Sequence, residues 1–242
     1  MTRKRSFGKW IVCAAMLACE VMYAQNPQTT PSAELRLQIL SSLPGKHRAV
    51  PAVIWLEPLA GTPAPHFISH GHYTLLQKNR TFIPHLQVIP AGSVVEFPNK
   101  DPFFHNVFSL FEGKRFDLGL YEAGSSKSVT FTNVGVSYIF CNIHPEMSAV
   151  VIALSTPLYA IADAKDSVLL RDIPLGDYKL HVWVEGIPQS ILDGLSHPVH
   201  LSEHAVDLGV LRAPIAGART MPHTNMYGQE YVPNGQSPYS PN

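Results

Sequence analysis

A group of side chains that can bind a metal lies within residues 141–147. Cys141 carries a thiol, His144 an imidazole and Met147 a thioether. A second imidazole, that of His105, lies upstream in the sequence Phe-Phe-His-Asn-Val. Soft sulfur ligands favour Cu(I), whereas imidazole suits copper in general, and two imidazoles, a thiolate and a weak thioether are the ligands of a mononuclear blue-copper site. The sequence therefore predicts one copper ion, as Cu(I) or Cu(II), bound by His105, Cys141, His144 and Met147, and it predicts no catalytic residue.

Predicted strands precede and follow this ligand loop. The aromatic and β-branched run at residues 136–140 predicts a strand that ends next to Cys141. Pro145 restricts the backbone of the loop. The apolar run at residues 149–154 predicts a buried strand that returns through the core. Two strands would therefore hold the thiol in place and fix the ends of the loop.

The spacing Cys-x-x-His-x-x-Met at residues 141–147 is similar to the short ligand loop of the amicyanins, whereas plastocyanins and pseudoazurins usually have longer loops there. The chain from residue 81 to residue 154 resembles the cupredoxins, the plastocyanin-like blue-copper proteins. The resemblance includes residues 88–101 (VIPAGSVVEFPNKD) and the sequence His-Asn-Val that begins at His105. It implies a Greek-key β-sandwich, to which we assign residues 64–155.

The surroundings of the ligands can also be predicted. The resemblance implies that Asn106 helps to tie the two ligand loops together and that its backbone amide points at the sulfur of Cys141. The loop position of His144 predicts a ring edge close to solvent. Around this edge we expect an apolar rim that excludes water and receives a redox partner. The residues expected in the rim are Phe103, Phe104, Phe108 and Pro145.

A second β unit is predicted after the cupredoxin-like region. The pattern Ile-Pro-x-Gly-x-Tyr-x-Leu-x-Val at residues 173–182 is similar to that of small transthyretin-like or carboxypeptidase-regulatory-like β-sandwiches. Such domains usually begin with two strands, which residues 34–40 and 51–56 resemble. We therefore predict an all-β protein in which the cupredoxin domain interrupts a second sandwich, built from residues 34–63 and 156–212. The alternative is that the early strands extend the cupredoxin sandwich.

The two ends of the chain are predicted to lie outside these domains. Residues 1–24, in which four Lys or Arg residues precede a short apolar run, are typical of a signal peptide. The apolar run is too short to span a bilayer, so we expect export to the periplasm, with a lipid anchor at Cys19 as the alternative. Residues 25–33 predict a linker. Residues 213–242, rich in Pro, Gly, Asn and Ser, predict an extended tail.

Cysteine usage agrees with a metal site. Cys13 and Cys19 lie in the predicted signal peptide, so its removal leaves Cys141 as the remaining cysteine of this chain. A lone cysteine cannot form an internal disulfide in an oxidising compartment. Metal ligation would keep such a thiol in a defined state.

Charge and histidine spacing argue against two other classes of protein. The chain has 18 basic and 18 acidic residues, of which the predicted signal peptide contains four and one, so the mature chain is slightly acidic and does not resemble a nucleic-acid-binding protein. Multicopper enzymes, by resemblance, need several His-x-His pairs, whereas this chain has only the pair His70 and His72. His66, His70 and His72 could form a second metal site or lie solvated on a loop.

The function predicted from these features is one-electron transfer between periplasmic redox partners, without enzymatic activity. Amicyanins accept electrons from an amine dehydrogenase and pass them to a c-type cytochrome. The resemblance therefore implies a redox protein of one of these kinds as the partner, but the extra β unit departs from that family and leaves the partner unidentified. The alternative is a periplasmic copper carrier without a role in electron transfer. The two functions differ in whether copper stays bound through repeated oxidation and reduction.

Overall fold

The structure, a computed structural model, describes residues 31–41, 49–110, 113–202, 205–213 and 224–230. The predicted signal peptide lies outside the described residues, as do most of the predicted linker and of the predicted tail. Seventeen strands and one short helix are formed within the described part. The prediction of an all-β sandwich protein is confirmed. No helix in these residues is long and apolar enough to cross a membrane.

The strands fall into three stretches of the chain. The first stretch contains β1 (Ser32–Ser41) and β2 (Ala52–Pro58). The second contains β3 (His72–Thr74), β4 (Leu76–Lys78), β5 (Thr81–Ile83), β6 (Leu86–Pro90), β7 (Ser93–Pro98), β8 (His105–Ser109), β9 (Phe116–Tyr121), β10 (Ser126–Phe131), β11 (Gly135–Phe140) and β12 (Ser148–Leu154). The third contains β13 (Tyr159–Ile161), β14 (Ser167–Pro174), β15 (Gly176–Val184), α1 (Gln189–Leu195), β16 (His197–Leu201) and β17 (Val206–Ala213).

The second stretch forms a sandwich of its own. A five-stranded sheet has the order β6-β12-β11-β8-β9, and a three-stranded sheet has the order β10-β7-β3. Strand β7 buries every second residue, Ser93, Val95 and Phe97, as expected of a strand with one face towards a core. Val95 and Phe97 belong to the same apolar core as Ile139 on β11 and Val151 on β12.

Strand β12 is buried on both faces. Ala149, Val151 and Ala153 belong to the core of this sandwich, whereas Ile152 and its alternate neighbours Val150 and Leu154 belong to a second core. Because successive side chains of a strand point to opposite faces, the continuous apolar sequence of β12 serves two cores at once. The predicted buried strand at residues 149–154 is therefore present, and its sequence shows no polar alternation because neither face meets water.

The early strands pair with strands of the third stretch. Strand β2 is antiparallel to both β13 and β15, and Trp55 lies opposite both Tyr159 and His181. Strand β1 is antiparallel to β14 and parallel to β17. The sheet that contains Trp55 thus also contains Tyr178 and the rest of β15, as the hypothesis of an interrupted sandwich requires. The domain boundaries and the transthyretin-like assignment stay predictions.

Polar contacts join the second core to the sandwich formed by β3 to β12. The indole N–H of Trp183 on β15 donates to the hydroxyl of Tyr138 on β11 (3.2 Å). His85, which precedes β6, has Nε2 2.5 Å from a carboxylate oxygen of Glu185 and Nδ1 3.0 Å from the carbonyl oxygen of Ser148. His85 therefore connects the end of β15 to the start of β12.

The His85–Glu185 pair should make the stability of the fold depend on pH. The hydrogen bond to Glu185 raises the pKa of His85 above its ordinary value, against the opposing effect of burial. A raised pKa in the folded state means that the pair stabilises the fold fully below the unfolded-state pKa of about 6.5, and that this contribution is lost as the pH rises through the folded-state pKa. We expect His85→Gln to lower the free energy of unfolding more at about pH 6 than at about pH 9.

Chemical denaturation of both proteins at the two pH values measures this difference. His66→Gln is the matched control, since His66 is exposed and belongs to a loop. A loss of stability in His85→Gln that is the same at both pH values would show that the ion pair with Glu185 does not contribute.

Candidate metal centre

The four predicted ligands lie at the ends of neighbouring strands. His105 is the first residue of β8, and Cys141 directly follows β11, which is next to β8 in the five-stranded sheet. His144 and Met147 lie in the loop between β11 and β12. Two backbone hydrogen bonds close this loop, from the Cys141 N–H to the Met147 carbonyl (3.3 Å) and from the Met147 N–H to the His144 carbonyl (3.1 Å). The short loop therefore turns back on itself next to His105.

Three of the four side chains converge on one point. Nδ1 of His105 lies 3.1 Å from Nδ1 of His144, and the sulfur of Cys141 lies 3.8 Å and 3.6 Å from these two atoms. A circle through three atoms with these separations has a radius of about 2.0 Å, close to the roughly 2.0–2.1 Å at which imidazole nitrogen binds zinc and a little below the roughly 2.3 Å typical of thiolate. A metal ion at the centre of this circle would therefore lie at about bonding distance from all three atoms.

The convergence is specific to these residues. Within the part of the chain that the structure describes, they are the only group of three or more His, Cys, Asp or Glu side chains whose ligand atoms all lie within 4.8 Å of one another. His66, His70 and His72 are exposed and are not gathered into such a group. The second metal site left open by the sequence thus has no support among the described residues.

The site is almost closed to water. His105, Cys141 and Met147 have no exposed surface, and His144 retains 7%. The ring of Phe103 covers both imidazoles, with its centroid 5.2 Å from that of His105 and 5.5 Å from that of His144. The role of Met147 as an axial ligand stays a prediction. Its burial in the same apolar cluster as Cys141 agrees with that role.

Burial sets the protonation states of these ligands. Burial, assisted by the neighbouring His105, lowers the pKa of His144 to about 4, and burial also lowers the pKa of His105. Both imidazoles are therefore neutral near neutral pH, and a neutral imidazole has a free lone pair for a metal. Burial raises the pKa of the Cys141 thiol, although backbone N–H groups that face the sulfur oppose this shift. Metal binding must therefore displace the thiol proton, which makes affinity depend on pH.

Asn106 fulfils one of its two predicted roles. Its backbone amide donates towards the Cys141 sulfur and lowers the pKa of that thiol, as the cupredoxin resemblance implies. Its side-chain Nδ2 donates to Asp117 on β9 (2.7 Å), and its role in tying the two ligand loops together stays a prediction. Asn106 Oδ1 is buried without a hydrogen-bond partner among the described residues. The side chain therefore connects β8 to the edge strand β9.

Sequence reasoning missed Asp101, which contacts a predicted ligand directly. Its Oδ2 lies 2.9 Å from Nε2 of His105, and the residue is 5% exposed. Burial acts to raise the pKa of the Asp101 carboxyl, but N–H donors around it outweigh burial and hold that pKa below its ordinary value. The signal in the sequence is a carboxylate four residues before His105, after the turn residues Pro-Asn-Lys.

The predicted apolar rim is formed only in part. Phe104 is 50% exposed and Pro145 is exposed, and Phe103 is partly buried in contact with both imidazole rings. Phe108 does not belong to the rim, because it is buried and packs on Phe140, with 5.9 Å between the ring centroids. The sequence could not show which phenylalanines are exposed, since β8, which contains Phe108, is buried on both faces. The ring edge of His144 is also less exposed than predicted.

Part of the predicted tail lies against the ligand loop. The backbone N–H of Met226 donates to Oδ1 of Asn142 (2.9 Å), the residue after Cys141. The segment around Met226 is a compact turn, in which the side chain of Asn225 accepts N–H bonds from Tyr227 and Gln229. The described part of the tail, residues 224–230, is thus folded as a turn instead of extended. A contact between residues 84 positions apart leaves no signal in the sequence pattern.

Comparisons with known proteins find solved structures to which part of the chain is similar. A purple cupredoxin from Nitrosopumilus maritimus is 24% identical over 34% of this chain and 96% of its own, with a TM-score of 0.30. A reduced amicyanin variant is 21% identical over 35% and 83%, with a TM-score of 0.32. A copper-containing nitrite reductase from Thermus scotoductus is 25% identical over 40% of this chain and 25% of its own, with a TM-score of 0.33.

These likenesses do not assign the chain to a family. Each covers a minor part of the chain at a low TM-score. No family model and no curated protein matches the sequence. Function is therefore inferred from the geometry and chemistry of the site.

Proposed function

We propose that this protein is a one-electron carrier that holds a single copper ion with His105, Cys141, His144 and Met147. The observation that carries this proposal is the convergence of two imidazole nitrogens and one cysteine sulfur on a point about 2.0 Å from each. Copper bound there would supply a one-electron Cu(I)/Cu(II) couple. We further propose that the protein acts after export, in the periplasm, with a redox protein such as a c-type cytochrome or a dehydrogenase as its partner.

The donor set favours copper over the other metals that such residues bind. A thiolate and a thioether are soft ligands that select Cu(I), and the two imidazoles also suit Cu(II). A closed zinc site would instead require four ligands in tetrahedral geometry, usually without methionine. A mixed set on fixed strand ends accommodates both oxidation states of copper with little movement of the protein.

The polypeptide around the ligands would limit the movement of the protein when copper changes its oxidation state. The ligand loop is closed by its own backbone hydrogen bonds. His105 begins the buried strand β8, and Cys141 follows the buried end of β11. The apolar surroundings exclude water from the site, and the hydrophobic shell of a metal site controls its solvent access and its redox potential. Only His144 retains exposed surface among the proposed ligands, so we propose its ring edge as the route by which the electron leaves.

The exposed apolar residues beside the ligands should form the contact surface for electron exchange. Phe104→Glu places a charge next to His105, on a side chain that is half exposed. We expect it to slow electron self-exchange between oxidised and reduced copies of the protein by roughly tenfold, because like charges would then face each other across the contact. The copper absorption spectrum should stay unchanged, since the ligands are unaltered.

Val134→Glu is the matched control for this experiment. Val134 is 52% exposed and precedes β11 at the end away from Cys141, roughly 20 Å along a strand of that length. This variant adds the same net charge far from the site, so it should leave the rate of electron self-exchange nearly unchanged. Equal rates in the two variants would place electron exchange elsewhere on the surface.

A further inference from the structure

A buried carboxylate lies behind one of the proposed copper ligands. Oδ2 of Asp101 is 2.9 Å from Nε2 of His105, on the side of the ring opposite to Nδ1. Nδ1 is the atom that faces His144 (3.1 Å) and Cys141 (3.8 Å). A neutral imidazole has one tautomer that can both donate a proton to the carboxylate and offer a lone pair to a metal. Nε2 carries the proton and donates to the carboxylate, which leaves the lone pair of Nδ1 for a metal.

The hairpin β4-β5 holds this carboxylate in place. The backbone N–H of Asn79 donates to Oδ1 of Asp101 (2.6 Å), and that of Arg80 donates to Oδ2 (2.9 Å). The backbone N–H of Asp101 itself donates to the side chain of Asn99 (3.0 Å). Both carboxylate oxygens thus accept hydrogen bonds from fixed backbone donors, and the orientation of the carboxylate is set before any metal binds.

The turn that supplies these donors is strained. Asn79 and Arg80 both have φ of 54°, in the left-handed region, as type I′ turns of two-residue hairpins require. Asparagine tolerates this conformation, but arginine does not favour it. Residues in such conformations persist where the surrounding structure determines them, and they cluster at functional sites. Here the two N–H bonds to Asp101 hold the turn.

We propose that Asp101 is a positioning residue of the copper site, which fixes His105 as the Nε2–H tautomer and stabilises the more positive Cu(II) state. This inference rests on the proposed function. The carboxylate is separated from the metal position by one imidazole ring, in surroundings with little water to screen its charge. Its negative charge therefore favours the oxidised ion over the reduced one and lowers the reduction potential.

Asp101→Asn tests the effect of the charge. The amide oxygen of Asn can still accept from Arg80 and His105, whereas its NH2 group cannot accept the N–H bond of Asn79. Circular dichroism of the variant checks that the fold persists. We expect the variant to bind one copper ion and to keep its thiolate absorption band. We expect its equilibrium with a one-electron mediator to shift at least tenfold towards Cu(I), which is about 59 mV for a one-electron couple.

Asp117→Asn is the matched control. This variant removes the same charge from an exposed carboxylate in the neighbouring strand β9. Water screens that charge, so the shift in reduction potential should be several-fold smaller than in Asp101→Asn. An unchanged potential in Asp101→Asn, or an equal shift in both variants, would overturn the proposal. Wild-type protein that binds copper without a thiolate band would contradict the proposed function instead, so the two failures are distinguishable.

The tautomer of His105 in metal-free wild-type protein gives a second test that needs no variant. Nitrogen-15 NMR of the imidazole should show a proton on Nε2 and none on Nδ1. A proton on Nδ1 would overturn the proposal even if Asp101→Asn failed to fold.

Discussion

Cys141→Ser should abolish the absorption band near ~600 nm that copper–thiolate charge transfer gives in a centre of this type. The band requires sulfur bound to copper, and a serine hydroxyl is a neutral oxygen donor that does not replace a soft thiolate. Cys141 is fully buried, and its sulfur lies 3.6 Å and 3.8 Å from the two imidazole nitrogens. The measurement is the visible spectrum of each protein after addition of one equivalent of Cu(II).

Met147→Leu is the control for the loss of one buried sulfur. It keeps both imidazoles and the thiolate, and the axial methionine of such sites is a weak, distant ligand. We therefore expect this variant to retain the band. A band that survives in Cys141→Ser, or one that is lost in both variants, would contradict the assignment of Cys141 as the thiolate ligand.

Ile152→Ala should lower the free energy of unfolding by about 2–5 kcal/mol, the usual cost of removing a buried isoleucine side chain. Ile152 has no exposed surface and packs in the core that β1, β2, β14 and β15 share with β12. The copper spectrum should not change, because the opposite face of β12, which carries Ala149 and Val151, packs in the core that contains Cys141.

Urea unfolding followed by tryptophan fluorescence measures this loss. Ile68→Ala removes the same atoms from a side chain that is 66% exposed, and it should alter stability by no more than about 0.5 kcal/mol. An equal, small effect of both substitutions would show that the second face of β12 is not packed against the other β unit. The hypothesis of an interrupted sandwich would then lose its main energetic support.

The sequence predicted the ligand loop because the information there is local. Cys141, His144 and Met147 lie within a single turn of chain between two strands, and each strand is evident from its own run of apolar residues. The remaining ligand, His105, could be identified only because its residue type completes the set and because the segment around it resembles a known family. The pairing of β2 with β15 was likewise predictable from resemblance, since nothing in residues 52–58 alone indicates a partner strand whose paired residues lie 120 to 132 positions further along the chain.

The features that the sequence did not predict depend on distant residues. Asp101 gains its role from backbone donors of a hairpin more than twenty residues upstream. Phe104 and Phe108 are the same residue type four positions apart. Phe104 precedes β8 and is half exposed, whereas Phe108 lies within β8, which is buried on both faces. The turn around Met226 has the sequence Thr-Asn-Met-Tyr-Gly-Gln-Glu, which has no periodic apolar pattern, and its contact with Asn142 follows from the fold of the whole chain.

Repeated oxidation and reduction of the copper-loaded protein tests the central claim most directly. The quantities to measure are the band near ~600 nm and the copper that remains bound after each cycle. We predict that the band disappears on reduction and returns fully on reoxidation, while one copper ion per chain is retained throughout. Copper that leaves the protein on reduction would indicate a carrier of copper rather than of electrons, and oxidised protein that holds copper without the band would contradict the thiolate site itself.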